Sequence, residues 1–155
     1  MNIQSYTLNG VEQDPAIINA KFSGVDVVEL KKRGDCLRYG YGVPMNKAEA
    51  FENYKEAAQW GYMEAILCCG DMLKNGEGVK IDRKTASLYY KKAAENLIPD
   101  GLINFGELID DDEVKLACFQ KALELGDKRA YSRLGIFYSY NKLSLSIQYF
   151  QKILN

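Results

Sequence analysis

A repeat of 36 residues constrains the fold of this chain more than any other feature. The segment GDCLRYGYGV begins at Gly34 and GDMLKNGEGV begins at Gly70, and the motif Tyr-Lys-x-Ala-Ala occupies 54–58 and again 90–94. Periods of about 20–50 residues indicate stacked supersecondary units. One helix pair cannot bury its apolar stripe alone, so such units become stable by stacking on their neighbours. The repeat therefore predicts an all-α fold of stacked antiparallel helix pairs.

The chain is predicted to form a single domain. Glycines and helix-capping residues divide it into five segments. We predict an N-terminal cap segment at 1–24, repeat 1 at 25–62, repeat 2 at 63–98, a shortened repeat 3 at 99–126 and a shortened repeat 4 at 127–155. About eight repeat helices are expected, with a short cap helix at 15–22, a link near Asn141 and no strand. Large side chains are expected to fill the gaps between layers; they are Tyr54, Tyr90, Phe105 and Tyr138.

The composition is that of an ordinary soluble domain. The chain has 155 residues, 47% of them hydrophobic and 26% charged, with a formal net charge of −1. Nothing in this balance favours a nucleic acid or an anionic membrane as a partner. The sequence shows no signal peptide and no apolar run of about 18 residues. We therefore expect a cytoplasmic protein.

The four cysteines are candidates for a soft-metal or redox site. Cys36, Cys68, Cys69 and Cys118 share no register between repeats, and the chain has no histidine. They are interpreted as free, mostly buried thiols. A redox or soft-metal site at the vicinal pair Cys68-Cys69 is the alternative. We expect no cofactor and no metal.

Repeat 2 carries the pattern of a known repeat family. It places Ala65, Gly70, the segment Gly76-x-Gly78-Val79 and the segment Tyr89-Tyr90-x-Lys-Ala-Ala at the spacing of the Sel-one-like repeat, which is related to the tetratricopeptide repeat. The resemblance covers about 27–155, and repeats 3 and 4 are degenerate. It implies a right-handed α-solenoid, an α/α superhelix. It also implies a non-catalytic adaptor or scaffold that binds protein partners on its concave side.

The residues themselves also argue against an enzyme. Without histidine there is no Ser-His-Asp or Cys-His arrangement. Gly40-Tyr41-Gly42 and Gly76-Glu77-Gly78 are interpreted as helix ends, because no strand precedes them as a phosphate-binding loop requires. The acidic segment 110–113 could do acid–base work or bind a cation, but it suits the start of a helix better.

The tetratricopeptide resemblance implies which side chains face a partner. Inward positions on the leading helices would be Lys31, Leu67 and Ile103, then Asp35, Asp71, Glu107 and Ile136, and one turn further Arg38, Lys74 and Asp110. Asp35, Asp71 and Glu107 are spaced 36 residues apart and form a predicted acidic ladder. Beside it lies a predicted apolar strip that consists of Leu67, Ile103 and Ile136. The glycines and alanines of the repeat account for the fold, whereas close packing does not require these aspartates. The alternative is that they are solvated positions neutralised by Arg38 and Lys74.

Two functions remain open after the sequence analysis. The first is an adaptor that holds protein partners together; the ladder predicts a partner with a basic and partly apolar surface. The second is suggested by small stand-alone repeat proteins of bacteria, which resemble immunity proteins that neutralise a co-encoded toxin. In either case the chain is expected to be a monomer or a weak dimer that binds neither nucleic acid nor membrane.

Overall fold

The computed structural model describes residues 7–8, 11–12 and 14–154, and its fold class is all-α, as predicted. The helices are α1 (Pro15–Phe22), α2 (Val27–Tyr39), α3 (Lys47–Gln59), α4 (Met63–Asn75), α5 (Arg83–Glu95), α6 (Pro99–Leu108), α7 (Asp112–Glu124) and α8 (Arg129–Leu154). The chain divides into two compact units, Met1–Lys92 and Ala93–Asn155, with the division inside α5.

A small antiparallel pair of strands precedes the helices, where the sequence predicts none. Strands β1 (Thr7–Leu8) and β2 (Val11–Glu12) pair with Thr7 opposite Glu12 and Leu8 opposite Val11. Residues Asn9 and Gly10 lie outside the described part of the chain. β-Branched residues on both sides of an Asn-Gly dipeptide are the usual sequence signal of a hairpin, and two residues per strand are too few to change the fold class.

Polar caps and glycines set the helix boundaries close to where the sequence predicts them. The Asp14 carboxylate accepts a hydrogen bond of 2.8 Å from the backbone N–H of Ala16, and Pro15 occupies the first turn of α1. Further helices begin with the same kind of bond, made by Asp26, Asn46, Asp82 and Asp111. Gly40 and Gly76 end α2 and α4 in the left-handed region, at φ 72° and 71°. Glycine adopts this conformation without a Cβ penalty.

In the first unit, consecutive helices pack through small residues and buried aromatic rings. Tyr54 and Tyr90 have no exposed surface, and Ala50, Ala57, Ala65 and Ala86 are equally buried. Such alternation lets helices approach closely while the rings fill the space between them. The cap helix α1 packs on α2. Glu29 and Arg33 of the first repeat are exposed.

The second unit has its own apolar core. It consists of Ala94, Leu102, Ile103, Cys118, Phe119, Ala122 and Ala130, with Phe105, Leu123 and Leu134 packed against them. Helix α6 packs on α7, and α7 packs on α8. In this unit Phe119 takes the place that tyrosine has in the first unit.

The C-terminal part of the chain differs from the prediction. Helix α8 runs without a break from Arg129 to Leu154, so the expected link near Asn141 is wrong, and the described repeat region has seven helices rather than about eight. Residues 136–154 contain neither glycine nor proline, and a single asparagine lowers helix propensity too little to end a helix. Tyr138 is 49% exposed, so its predicted role between layers is also wrong.

Candidate functional site

In the first three repeats, a glycine of the leading helix lies directly under an aromatic ring of the next helix. A Cβ on Gly34 would come within 2.6 Å of Cε1 of Tyr54, and one on Gly70 within 2.8 Å of Cε1 of Tyr90. In the second unit Gly106 has the same relation to Phe119, at 2.7 Å, although only 13 residues separate them instead of 20. No side chain fits at these distances, so the repeated glycine is a packing requirement.

In the first two repeats, the aspartate that follows the glycine accepts a hydrogen bond from the hydroxyl of the same ring. The Tyr54 hydroxyl donates to Oδ1 of Asp35 at 2.8 Å, and the Tyr90 hydroxyl donates to Oδ1 of Asp71 at 2.5 Å. Burial, followed by the bond to Asp35, raises the pKa of Tyr54 well above its usual range. A buried hydroxyl needs such a partner. Packing therefore does require Asp35 and Asp71, which corrects the contrary interpretation from the sequence.

Both aspartates nevertheless reach the surface of the first unit. The side chain of Asp35 is 29% exposed, and its Oδ2 lies 2.8 Å from Nζ of Lys31. The bond to Asp35 is the main cause that raises the pKa of Lys31. Nζ of Lys31 also lies 3.6 Å from Oε2 of Glu64 on α4. Asp35 is thus held between a buried tyrosine and a half-buried lysine.

Helix α4 presents the corresponding surface of the second repeat. Asp71 and Leu67 are half-buried and lie four residues apart, hence on one face of the helix. Nζ of Lys74 lies 5.7 Å from the centre of the Tyr90 ring, within the range of a cation–π contact. Leu67, Asp71 and Lys74 therefore stand together on α4.

Arg38 is not part of this surface. It is only 8% exposed, and its Nη2 and Nε donate to the two carboxylate oxygens of Glu77 at 2.7 and 3.2 Å. Nζ of Lys47 lies 3.2 Å from Oε2 of the same glutamate. These bonds lower the pKa of Glu77 to about 2, mainly through Arg38. Arg38 joins the first repeat to the glycine loop of the second, so its predicted roles, as a partner contact and as the cation that neutralises Asp35, are wrong.

The glycine loop of repeat 2 is shaped for this contact. Gly78 has φ +69°, and a Cβ there would lie 2.4 Å from the carbonyl carbon of Lys47. The loop backbone therefore rests on the start of α3, which places Glu77 between Arg38 and Lys47. Tyr41 occupies the corresponding position of the first loop and is 64% exposed.

The predicted positions of the second unit are not equivalent to one another. Glu107 is exposed and accepts a hydrogen bond of 2.5 Å from Nε of Arg133. Ile136 is 53% exposed, but Ile103 is 3% exposed and belongs to the core, so it cannot form part of a surface strip. Asp110 follows the end of α6 at Leu108 and lies in a loop, so it is not the next turn of a leading helix.

The four cysteines are free thiols, as predicted. Cys69 and Cys118 are buried, while Cys36 and Cys68 are half-buried. Burial raises the pKa of Cys68 to about 11 and that of Cys69 to about 12. Since the thiolate is the reactive form, the vicinal pair has the protonation of structural thiols.

Metal binding and membrane insertion find little support in the described residues. Within 7–8, 11–12 and 14–154, no group of three or more His, Cys, Asp or Glu residues is placed to hold a metal ion. Across the same residues, no helix has both the length and the apolar character needed to cross a membrane. The arrangement offers anchored charges and half-buried apolar side chains, which suit recognition of another surface.

The sequence analysis missed the partners of the predicted charges. It did not identify Tyr54 and Tyr90 as anchors, nor Glu64, Glu77 and Arg133 as ion-pair partners. A signal for the tyrosines was available, because each stands 20 residues after its glycine in both clear repeats. The ion pairs cross between helices at unrelated spacings and left no such signal.

The fold and its repeated glycine–aromatic contact define an all-α helical repeat protein. No protein-family model and no curated protein matches the sequence. Solved structures do match: a Sel1 repeat protein from Oxalobacter formigenes has 28% identity and a TM-score of 0.67 over 72% of this chain. The protein c5321, a protective antigen present in uropathogenic Escherichia coli strains and displaying an SLR fold, has 24% identity and a TM-score of 0.69 over 84% of this chain.

These similarities confirm the resemblance to the Sel-one-like (Sel1-like) repeat family. The c5321 structure, at 24% identity, supports the fold alone. The Oxalobacter protein has the higher sequence identity, 28%. This chain spans 49% of the length of the Oxalobacter chain and 31% of the length of c5321. The comparison therefore covers the repeat fold and not the whole of either protein.

Proposed function

We propose that this chain is a non-catalytic protein-binding module, an adaptor or scaffold, and that its first unit binds a basic, partly apolar protein segment. The surface concerned consists of Lys31, Asp35, Leu67, Asp71 and Lys74. The observation that carries the proposal is that Asp35 and Asp71 are partly exposed while a buried tyrosine fixes each of them.

Fixed carboxylates favour binding for a physical reason. A side chain that is already held in one orientation loses little conformational freedom when a partner arrives, so less of the interaction free energy is lost to ordering. Charge-assisted hydrogen bonds from lysine or arginine to a carboxylate are among the stronger polar contacts. Leu67, one turn before Asp71, supplies an apolar contact beside the charge. Lys31 already contacts Asp35, so a partner cation at that position has to share or displace it.

The second unit keeps the register of the repeat but has no carboxylate anchored by a tyrosine. Glu107 and Ile136 occupy the positions that correspond to Asp71 in repeats 3 and 4, and both are exposed. Glu107 is bound by Arg133 rather than by a tyrosine. The proposed surface lies within the first unit, so these two residues are not part of it. Ile103 and Arg38 are excluded because both are buried.

A displayed library of random 15-residue peptides, selected against the purified chain, tests this proposal. We expect enrichment of peptides that combine lysine or arginine with leucine or other large apolar residues. Affinity measured by fluorescence anisotropy should fall at least about tenfold in D35N/D71N, and should weaken with added salt because the charges are partly exposed. Asparagine keeps an acceptor for each tyrosine, so the melting temperature should change little.

The matched control carries the same change of charge on another face of the same unit. Glu52 and Glu56 are exposed on α3, and E52Q/E56Q should bind the selected peptides like the unaltered chain. Enrichment of peptides without cationic residues, or an equal loss of affinity in D35N/D71N and in the control, would show that Asp35 and Asp71 are not the site.

The toxin inhibitor that the sequence leaves open is a special case of the same function. Both roles need a protein-binding surface and no catalytic group, and both fit a cytoplasmic chain. Co-expression with a toxin encoded beside the gene distinguishes them. Growth rescue that is lost in D35N/D71N would support the inhibitor, and absence of rescue by the unaltered chain would leave the adaptor.

A further inference from the structure

Helix α8 carries an exposed apolar face at the spacing of a coiled coil. Ile136, Tyr140, Leu143 and Ile147 are 53%, 71%, 59% and 49% exposed. They follow one another at intervals of four, three and four residues, which is the pattern by which two helices pack side by side. We call these four residues the α8 seam.

The seam is rotated away from the face by which α8 packs on the core of its own unit. Ala130 is buried, and the half-buried residues that follow it include Leu134, Phe137 and Asn141. At 3.6 residues per turn, their side is rotated about a third of a turn from the seam. Ile136 and Tyr140 border a groove that α8 forms with Lys115 and Phe119 of the same unit, whereas Leu143 and Ile147 lie beyond it. The core covers none of the four.

The sequence continues the spacing to the end of the helix. Phe150 and Leu154 stand three and seven residues after Ile147, which gives six apolar positions between 136 and 154. Eighteen residues of helix correspond to about 27 Å. A helix of this length is enough for one helix of another molecule to lie along it.

The residues beside the seam indicate what kind of helix fits. The flanking positions of the pattern are 137, 139, 144, 146, 151 and 153, and the sequence places there only Phe, Ser, Gln and Ile. Charges at these positions normally select a complementary partner and repel an identical one. Because none of them is charged, two copies of α8 meet no like-charge repulsion along the seam, and a charged foreign helix would gain nothing from it.

We propose that the α8 seam binds a second copy of this chain, with the two α8 helices packed against each other about a two-fold axis. A two-fold interface uses the same surface on both molecules, as a seam without charge allows. The contact involves one face of one helix from each copy, which places it among small interfaces. The dimer is therefore weak and depends on concentration. This surface is separate from the one proposed for protein binding, since it lies on another helix and in the other unit.

Sedimentation equilibrium of the full chain over about 1 μM to 1 mM tests the proposal. We expect the mass to rise from 17.5 kDa towards twice that value as the concentration increases. L143E/I147E places two carboxylates on the seam and should remain at 17.5 kDa throughout. Glutamate is a good helix former, so the helix itself should persist, as far-UV circular dichroism will check.

Two further variants keep the outcome unambiguous. Y131E/Y138E adds the same charge to α8 at two exposed positions outside the seam and should dimerise like the unaltered chain. L143A/I147A adds no charge and should raise the dissociation constant at least tenfold. A mass of 17.5 kDa for the unaltered chain at every concentration overturns the proposal, as does dimerisation of L143E/I147E or its loss in Y131E/Y138E.

Discussion

The hydroxyl of Tyr90 donates a hydrogen bond of 2.5 Å to Asp71, and the same ring covers the backbone of Gly70. Tyr54 makes both contacts in the preceding repeat, with Asp35 and Gly34. The repeated Gly-Asp pair is therefore half of a packing unit whose other half is a tyrosine 20 residues later. In the second unit Gly106 keeps the ring contact through Phe119, and without a hydroxyl the following Glu107 binds Arg133 instead.

Substitution of the repeated glycine should lower the free energy of unfolding only where an aromatic ring covers the glycine. Gly70→Ala places a Cβ 2.8 Å from the Tyr90 ring, and we expect a loss of about 1–3 kcal/mol in the free energy of unfolding. Gly135 is the matched control, because a Cβ there would meet no heavy atom of the described residues within 4 Å beyond its own helix.

In the same denaturation experiment, Gly135→Ala should stabilise the protein by about 0.5–1 kcal/mol, since alanine favours a helix interior. Equal effects of the two substitutions would contradict the packing role assigned to Gly70.

Much of the fold could be predicted because its signals are local. Asp14, Asn46 and Asp82 are residue types that favour a helix N-cap, and each of them caps a helix. Glycines at 40 and 76 end helices for the steric reason that predicts them. The link near Asn141 could not be predicted correctly. The repeat pattern predicts that a second helix begins there, but no residue between 136 and 154 ends the first helix.

The candidate site could be predicted in position but not in role. Register places Asp35 and Asp71 correctly on the surface, but their hydrogen bonds to tyrosine depend on how two helices pack. Arg38 and Ile103 show the same limit, because an inward register does not reveal that Glu77 holds the arginine or that the core encloses the isoleucine. Contacts between helices decide whether a side chain at a given register binds or packs.

Loss of the Glu77 carboxylate should destabilise the protein near neutral pH. Glu77→Gln leaves the guanidinium of Arg38 buried without its anion, and we expect a loss of about 2 kcal/mol in the free energy of unfolding at pH 7. The exposed Glu52→Gln, whose ion pair with Lys55 is 3.7 Å long, should change it by less than about 0.5 kcal/mol.

The effect of Glu77 should also depend on pH. Its pKa is lowered in the folded protein, from an ordinary 4.5 to about 2, so its contribution is present above pH 4.5 and is lost as the pH falls towards 2. The difference in unfolding free energy between the unaltered chain and Glu77→Gln should therefore shrink over that interval. A difference that stays constant from pH 5 to pH 2 would contradict the ion pair with Arg38.

The vicinal cysteines should react slowly in the folded protein. With pKa values of about 11 and 12, Cys68 and Cys69 carry almost no thiolate at pH 8, so alkylation by iodoacetamide should be at least about a hundredfold slower than in urea. Peptide mapping by mass spectrometry assigns the rates to each residue. Rapid labelling of Cys68 or Cys69 in the native state would restore the redox or soft-metal alternative.

The central structural claim is that Asp71 and Tyr90 act as one unit, and a double-mutant cycle measures this directly. Asp71→Ala leaves the buried Tyr90 hydroxyl without its acceptor and should cost about 1–3 kcal/mol of unfolding free energy. Tyr90→Phe removes the hydroxyl, so Asp71→Ala in that background should cost much less, giving a coupling energy of about 1 kcal/mol or more. Additive losses, with a coupling energy near zero, would contradict the packing unit and the anchoring of Asp71 on which the proposed binding surface rests.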